Sequence, residues 1–272
     1  MNTKPDVASP TNRRDARMRS RLDLTGHVVL LTGGLGGLGR AIIERLSEHG
    51  AIVGVLDTVP EDRAELPSHP RVRYRRCDVT NAERVREAVS QSIDWLGARP
   101  TIVCCHAGVV GDAHPVETFP LQTFHTIQAV NVTGSFLVAR AAAAMWREHN
   151  EPGHLIFTTS WVSDVPWPGI APYGASKAAI KSLMRSFARE LAPYRIRSNA
   201  ISPGIVGVGM AKRQWDTDPD YRARAERAIP LGHLQTAESV ADAFLFLCSD
   251  LASYMTGSTL VVDGGAGLFP LD

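Results

Sequence analysis

Cysteine is scarce. Only Cys77, Cys104, Cys105 and Cys248 occur in 272 residues, and none forms a C-x-x-C pair or a ligand spacing with histidine. No metal site is expected, and the expected state of the thiols is reduced and buried, as in a cytoplasmic protein. Long apolar runs are also missing: none approaches the roughly 20 residues of a membrane helix, so no membrane is expected as partner. Neither sign of charge dominates. With 29 basic against 28 acidic side chains the net charge is +1, which gives no electrostatic case for nucleic acid. What is present is 44% hydrophobic residues, enough for one large α/β core. Residues 1–22 stand apart, with Pro5, Pro10 and a run of arginines but no apolar period. They read as a flexible basic tail without the apolar middle of a signal peptide, ahead of a single domain at 23–272.

The ordered pattern opens with an apolar, β-branched strand at 28–31. Thr32-Gly33-Gly34-Leu35-Gly36-Gly37-Leu38-Gly39 follows, then helical spacing over 41–49, closed by Gly50. Strand, glycine turn and helix together make a pyrophosphate seat. Glycine lets the backbone come close, and the helix start offers free N–H groups and a positive dipole. Gly33, Gly37, Leu38 and Gly39 are the candidate cofactor residues here. A second strand at 51–56 ends at Asp57, about 20 residues past the turn, where a carboxylate can bond the adenosine ribose and repel a 2′-phosphate. Arg40 is the one basic residue near that end in sequence, so NAD is favoured over NADP. A third strand at 72–77 leads to Asp78 and Val79, placed for the adenine, and Thr80-x-x-Glu83 reads as the capping box of a helix over 82–96. After a fourth strand at 101–105, Ala107 and Gly108 give small residues where a cofactor could pass. His106 reads as a hydrogen-bonded structural residue.

In the second half a long helical stretch spans 121–149, with Asn131 in its apolar middle, where an amide needs partners. A strand at 155–159 ends beside Ser160. Trp161 and Trp167 lie in the following proline-containing loop, either as packing residues or as a stacking surface. Tyr173 and Lys177 are four apart on a helix that runs to 191, hence on one face, one turn apart. A phenol titrates near 10 and a nearby ammonium favours its ionised form, so the pair reads as a general acid/base. A strand at 196–201, Pro203-Gly204, a helix at 239–248 and a last strand at 259–262 with Asp263-Gly264-Gly265 complete the chain.

Thr32-Gly33-x-x-x-Gly37-x-Gly39, Asp78-Val79, Asn131, Ser160 thirteen residues before Tyr173-x-x-x-Lys177, Pro203-Gly204 and Asp263-Gly264-Gly265 fall in one order over roughly 22–268. In this the chain resembles the short-chain dehydrogenase/reductase superfamily. The resemblance implies a single Rossmann-type, doubly wound parallel α/β sheet of about seven strands with helices on both faces. It implies Tyr173 as acid/base, Lys177 lowering its pKa and holding the nicotinamide ribose, Ser160 on the reacting oxygen, and Asn131 holding a water that links Lys177 to solvent. Pro203, Gly204, Val206 and Val208 would line the cofactor.

Two departures stand out. The family's Asn-Asn-Ala-Gly is Cys105-His106-Ala107-Gly108 here, without the amide that braces the central strand. Val208 replaces a threonine that bonds the nicotinamide amide. The activity implied is NAD-dependent interconversion of a secondary alcohol (sugar, polyol or cyclic alcohol) and its ketone. The substrate would be held by Ser160, Tyr173, Trp161, Trp167, Met210 and Trp215 under a mobile lid at 205–234. An NADPH-linked ketoreductase acting on acyl-carrier substrates and a non-catalytic dinucleotide sensor are the alternatives. Apolar residues on several faces of the helices bearing Asn131 and Tyr173 imply a homotetramer or homodimer.

Overall fold

The computed structural model describes residues 21–268; residues 1–20, most of the expected tail, and 269–272 lie outside it. Seven strands form one sheet: β1 (Val28–Thr32), β2 (Ile52–Asp57), β3 (Val72–Arg76), β4 (Ile102–Cys105), β5 (Gly153–Thr158), β6 (Ile196–Pro203) and β7 (Thr259–Val262). Their order is β3-β2-β1-β4-β5-β6-β7 and every pairing is parallel. Parallel neighbours need crossovers, and the crossovers place helices on both faces. Side chains alternate along each strand, so each strand feeds two cores. Val29 and Leu31 of β1 face α1 (Gly37–Glu48) and α9 (Ala237–Cys248), through Ile42, Leu46, Val240 and Phe244. Val28 and Leu30 face the opposite layer of α2 (Ala82–Ser90) and α5 (Ser135–Glu148), with Val85, Val138 and the fully buried Trp146.

β1 has β2 on one side and β4 on the other, so the chain order reverses there and a crevice opens at the C-terminal strand ends. Most of the candidate cofactor residues, with Ser160, Tyr173 and Lys177, line that crevice.

Two local expectations are corrected, and the stretch 205–234 gains detail. The stretch 82–96 breaks at Gln91 into α2 and α3 (Ser92–Leu96), and α2 is capped by Asn81, whose Oδ1 accepts the Glu83 and Arg84 amides at 3.1 and 3.0 Å. Thr80 is taken instead by Asp78, which accepts both its N–H and its hydroxyl. The stretch 121–149 is not one regular helix. α4 (Leu121–Ile127) passes through a π-helical turn at Gln128–Gly134 into α5, and such wide turns often mark functional positions. The stretch 205–234 contains two helices, α7 (Gly209–Thr217) and α8 (Pro219–Ala228). Asp218 caps α8 by accepting the Tyr221 amide at 3.0 Å, and Asp218-Pro219 is the signal that could have located that start.

Candidate active site

The glycine turn is built by close approach. Gly33 has φ +72° and its amide donates to Leu56 O at 2.7 Å; a Cβ there would lie 2.7 Å from the Ala107 backbone. Gly39 does not face the crevice. It lies under the turn, where a Cβ would meet Gly33 O at 2.5 Å, so its task is to let α1 pack against the turn. α1 starts at Gly36 with no side-chain cap and no acidic residue in its first turn, leaving its first N–H groups available to an anion. Asp57 braces the turn, accepting the Leu35 and Thr58 amides at 3.0 and 2.7 Å. Arg40 bonds Leu35 O and lies 3.8 Å from Glu65. The structure adds Arg76, whose Nε donates to Thr58 O at 3.0 Å; sequence reading missed it because β3 reaches Asp57 only through sheet pairing.

A cleft of about 570 Å³ runs along this edge. Gly33, Gly37, Leu38, Asp57, Asp78, Val79, Ala107, Gly108, Pro203, Gly204, Val206 and Val208 all line it. The glycine turn, the uncapped helix start and the carboxylate at the far end fit a nicotinamide dinucleotide.

Thr32 Oγ1 accepts the His106 and Ala107 amides at 3.0 and 3.1 Å and ties β1 to the end of β4. His106 Nδ1 lies 3.0 Å from Thr158 Oγ1, so the imidazole bridges β4 to β5 where the family's amide is missing. Burial, with Lys177 nearby, pushes its pKa down to about 3, which keeps it neutral.

Ser160 follows β5, and Tyr173 and Lys177 come from the first turns of α6 (Ala171–Leu191). The Ser160 hydroxyl lies close enough to the Tyr173 phenol to draw its pKa down. Lys177 Nζ donates to Thr158 O at 2.8 Å and sits 5.4 Å from the Tyr173 ring centroid. Burial pushes the phenol up to about 12, with the Ser160 hydroxyl pulling the other way. Burial also brings the Lys177 ammonium down to about 8. Lys177 is not among the groups that shift the phenol: its ammonium is engaged by the Thr158 carbonyl, and loss of water is the larger effect.

Asn131 is fully buried in the π-helical turn. Its Nδ2 donates to Val109 O and Ser176 Oγ, both at 2.9 Å, and its Oδ1 accepts the Val109 amide at 2.8 Å. Both amide hydrogens are thus occupied in fixing the loop after β4 against α6. The expected water bridge finds no free donor here, only the remaining acceptor capacity of Oδ1. A Cβ on Gly108 would lie 3.3 Å from that oxygen and 3.4 Å from Lys177 Nζ, so the bare glycine keeps the space beside both open.

A second cavity, about 340 Å³, opens beside the first. Trp161, Trp167 and Met210 line it, with the two indoles edge to face at 5.3 Å. Trp215 does not. It lies one position beyond Gln214 on α7, packed in the apolar cluster of Trp161 and Tyr221, with the Arg222 guanidinium 5.8 Å from its ring centroid. Ser160, Tyr173, Gly204, Val206 and Val208 line both cavities. Gln235, unmarked in the sequence, holds this shared wall: its Oε1 accepts the Gly204 amide at 2.9 Å, and its backbone pairs with Ile205 and Gly207.

A family model described as enoyl-(acyl carrier protein) reductase matches residues 33–267. The chain belongs to the short-chain dehydrogenase/reductase superfamily. Glucose 1-dehydrogenase of Gluconobacter oxydans is 34% identical over 254 residues, 90% of this chain and 93% of that protein. 3beta-Hydroxysteroid dehydrogenase 1 of Eggerthella lenta is 34% identical over 257 residues, 91% of this chain and 96% of that protein. The structure of an NAD+-bound xylitol dehydrogenase superposes with a TM-score of 0.81 at 32% identity, covering 89% of this chain and 99% of its own. As a member of this superfamily the chain is an oxidoreductase acting on CH–OH groups, and the nicotinamide dinucleotides are the cofactors of its relatives.

Proposed function

We propose that the protein interconverts a secondary alcohol and its ketone with NAD, Tyr173 serving as acid/base. The observation that carries this is the shared wall: the Tyr173 phenol and Ser160 hydroxyl stand where the two cavities meet. When bound, the nicotinamide ring takes or gives the hydride at its C4. Gly33, Gly37, Leu38, Ala107 and Gly108 admit the cofactor closely, Asp57 takes the adenosine ribose, Asp78 and Val79 the adenine, and Pro203, Gly204, Val206 and Val208 border the other end. Ser160 holds the reacting oxygen and Tyr173 exchanges its proton. Lys177 supplies the cation beside the phenol. Asn131 acts as a positioning residue through Val109 and Ser176.

A carboxylate at the end of β2, with Arg40 turned to Leu35 O and Glu65, supports NAD over NADP. Residues 205–234, with α7 and α8, form the lid of a single domain at 23–272. Four free, buried thiols support a reducing cytoplasmic setting. Exposed Leu121, Phe124 and Phe136 along α4 and α5 support a homotetramer, or a homodimer.

Reduction of a ketone, including one on an acyl carrier, is the second reading. A phenol held protonated, with its pKa about 12, is already the acid that a carbonyl oxygen needs. Purified protein should form NADH from a panel of secondary alcohols. Tyr173→Phe should lose about 10²–10⁴-fold in kcat while still binding NAD by fluorescence. Equal turnover by the variant sinks the assignment. Faster reduction of β-ketoacyl substrates with NADPH selects the second reading.

A further inference from the structure

Arg224 lies on α8 and borders the smaller cavity. Its Nε is shut off from water and has no hydrogen-bond partner. Two other buried side-chain polar atoms lack partners among the described residues, Ser202 Oγ and Thr259 Oγ1. Both are neutral hydroxyls in the sheet, so Arg224 is the charged case. No carboxylate among the described residues forms an ion pair with it. Asp218 borders the same cavity but caps α8 through the Tyr221 amide. The guanidinium lies over an aromatic ring instead: its centre is 5.4 Å from the Trp167 ring centroid, and Trp167 packs edge to face on Tyr221 at 6.1 Å.

Stacking satisfies the face of a guanidinium and leaves its N–H edge unbonded. Arg224 as a whole is only partly buried, so it is the shielded Nε, not the whole cation, that lacks a bond, and an anion seated in the cavity would supply it. The rest of the lining is largely apolar, with Trp161, Ile170, Ile205, Met210 and Tyr221; of its two charged side chains, Asp218 is engaged by the Tyr221 amide, which leaves Arg224 as the one cationic anchor. One planar fork matches a carboxylate. The lining adds no second cation for a doubly charged phosphate.

We infer that Arg224 is the anchor for a carboxylate on the substrate, so that the alcohol oxidised at Tyr173 is a small hydroxy acid. This rests on the alcohol dehydrogenase reading above and adds the substrate class to it.

The test uses secondary alcohols that end in a carboxylate at increasing chain length, each beside its methyl ester, with NAD and full-length protein. At the best chain length the acid should exceed its ester at least about tenfold in kcat/KM. Arg224→Gln should reduce that acid-to-ester ratio about 10- to 100-fold, mainly through KM, and Arg224→Lys should restore part of it. A ratio near one at every length, or one that Arg224→Gln leaves unchanged, overturns the proposal while the dehydrogenase reading stands. Adipate, which has no hydroxyl to oxidise, should shift the tryptophan emission of NAD-loaded wild type and not that of Arg224→Gln. That result supports the anion seat even if no alcohol is turned over, in which case it is the dehydrogenase reading that falls. An adipate response retained in Arg224→Gln places the anion elsewhere and overturns the proposal.

Discussion

Lys177 carries its ammonium inside the chain, 3% exposed, against a single backbone carbonyl. Burial brings its pKa from 10.5 in a free chain to about 8. Between about pH 8 and 10.5 the unfolded chain keeps a proton that the folded chain has released, so this residue's contribution to stability rises with pH across that window. Below pH 8 both states hold the proton and the penalty of the buried charge is present in full, on the order of 3 kcal/mol. Cys77 and Cys105, pushed up by burial, act in the opposite sense above pH 9. The quantity to measure is therefore the difference between wild type and Lys177→Met in urea unfolding. Relative to the variant, wild type should gain stability between pH 7 and pH 10; a flat difference would show that the ammonium is solvated.

At this scale much of the site was legible. Gly33, Asp57, Ser160, Tyr173 and Lys177 are tied by short spacings to strand ends and a helix turn. Arg76, Arg224 and Gln235 were not legible, since each reaches the site only through pairing or packing of separate elements. The raised phenol was hidden for the same reason, because its desolvation depends on walls drawn from distant segments.

At the scale of elements, β5 and α5 show how tightly one helix layer is fitted to the sheet. Gly153 opens β5 directly beneath Trp146, whose Nε1 donates to Pro100 O at 2.7 Å. A Cβ on Gly153 would lie 2.2 Å from that ring, which is fully buried and cannot swing away. Gly153→Ala should lower stability by about 2–3 kcal/mol, read as a drop in the urea midpoint at unchanged slope. A neutral result would mean that Trp146 has room to move. Strands and their order could be anticipated from buried runs alternating with helical spacing. The break at 128–134 could not, because the apolar period continues through it and only the partners of Asn131 explain the wide turn. α7 and α8 were concealed by their charge, which reads as loop until Tyr221 and Ala225 are seen packed beneath them.

For the whole molecule, the apolar side chains of α5 expected to seek a partner are mostly used within the chain: Val138, Ala139, Ala142, Met145 and Trp146 are all buried against the sheet. What is left outside is Leu121, 68% exposed, with Phe124 and Phe136 at 38%. Such residues gathered along α4 and α5 favour association. Mass photometry should find a tetramer, or a dimer, and Phe124→Glu with Phe136→Glu should move the population toward monomer. A wild type that remains monomeric at micromolar concentration would remove the proposed assembly.

One amide, that of Gln235, suspends the partition between the dinucleotide trough and the smaller chamber. Gly204, Val206 and Val208 face the trough on one side and the chamber on the other. A change that shifts this wall therefore reshapes both spaces together.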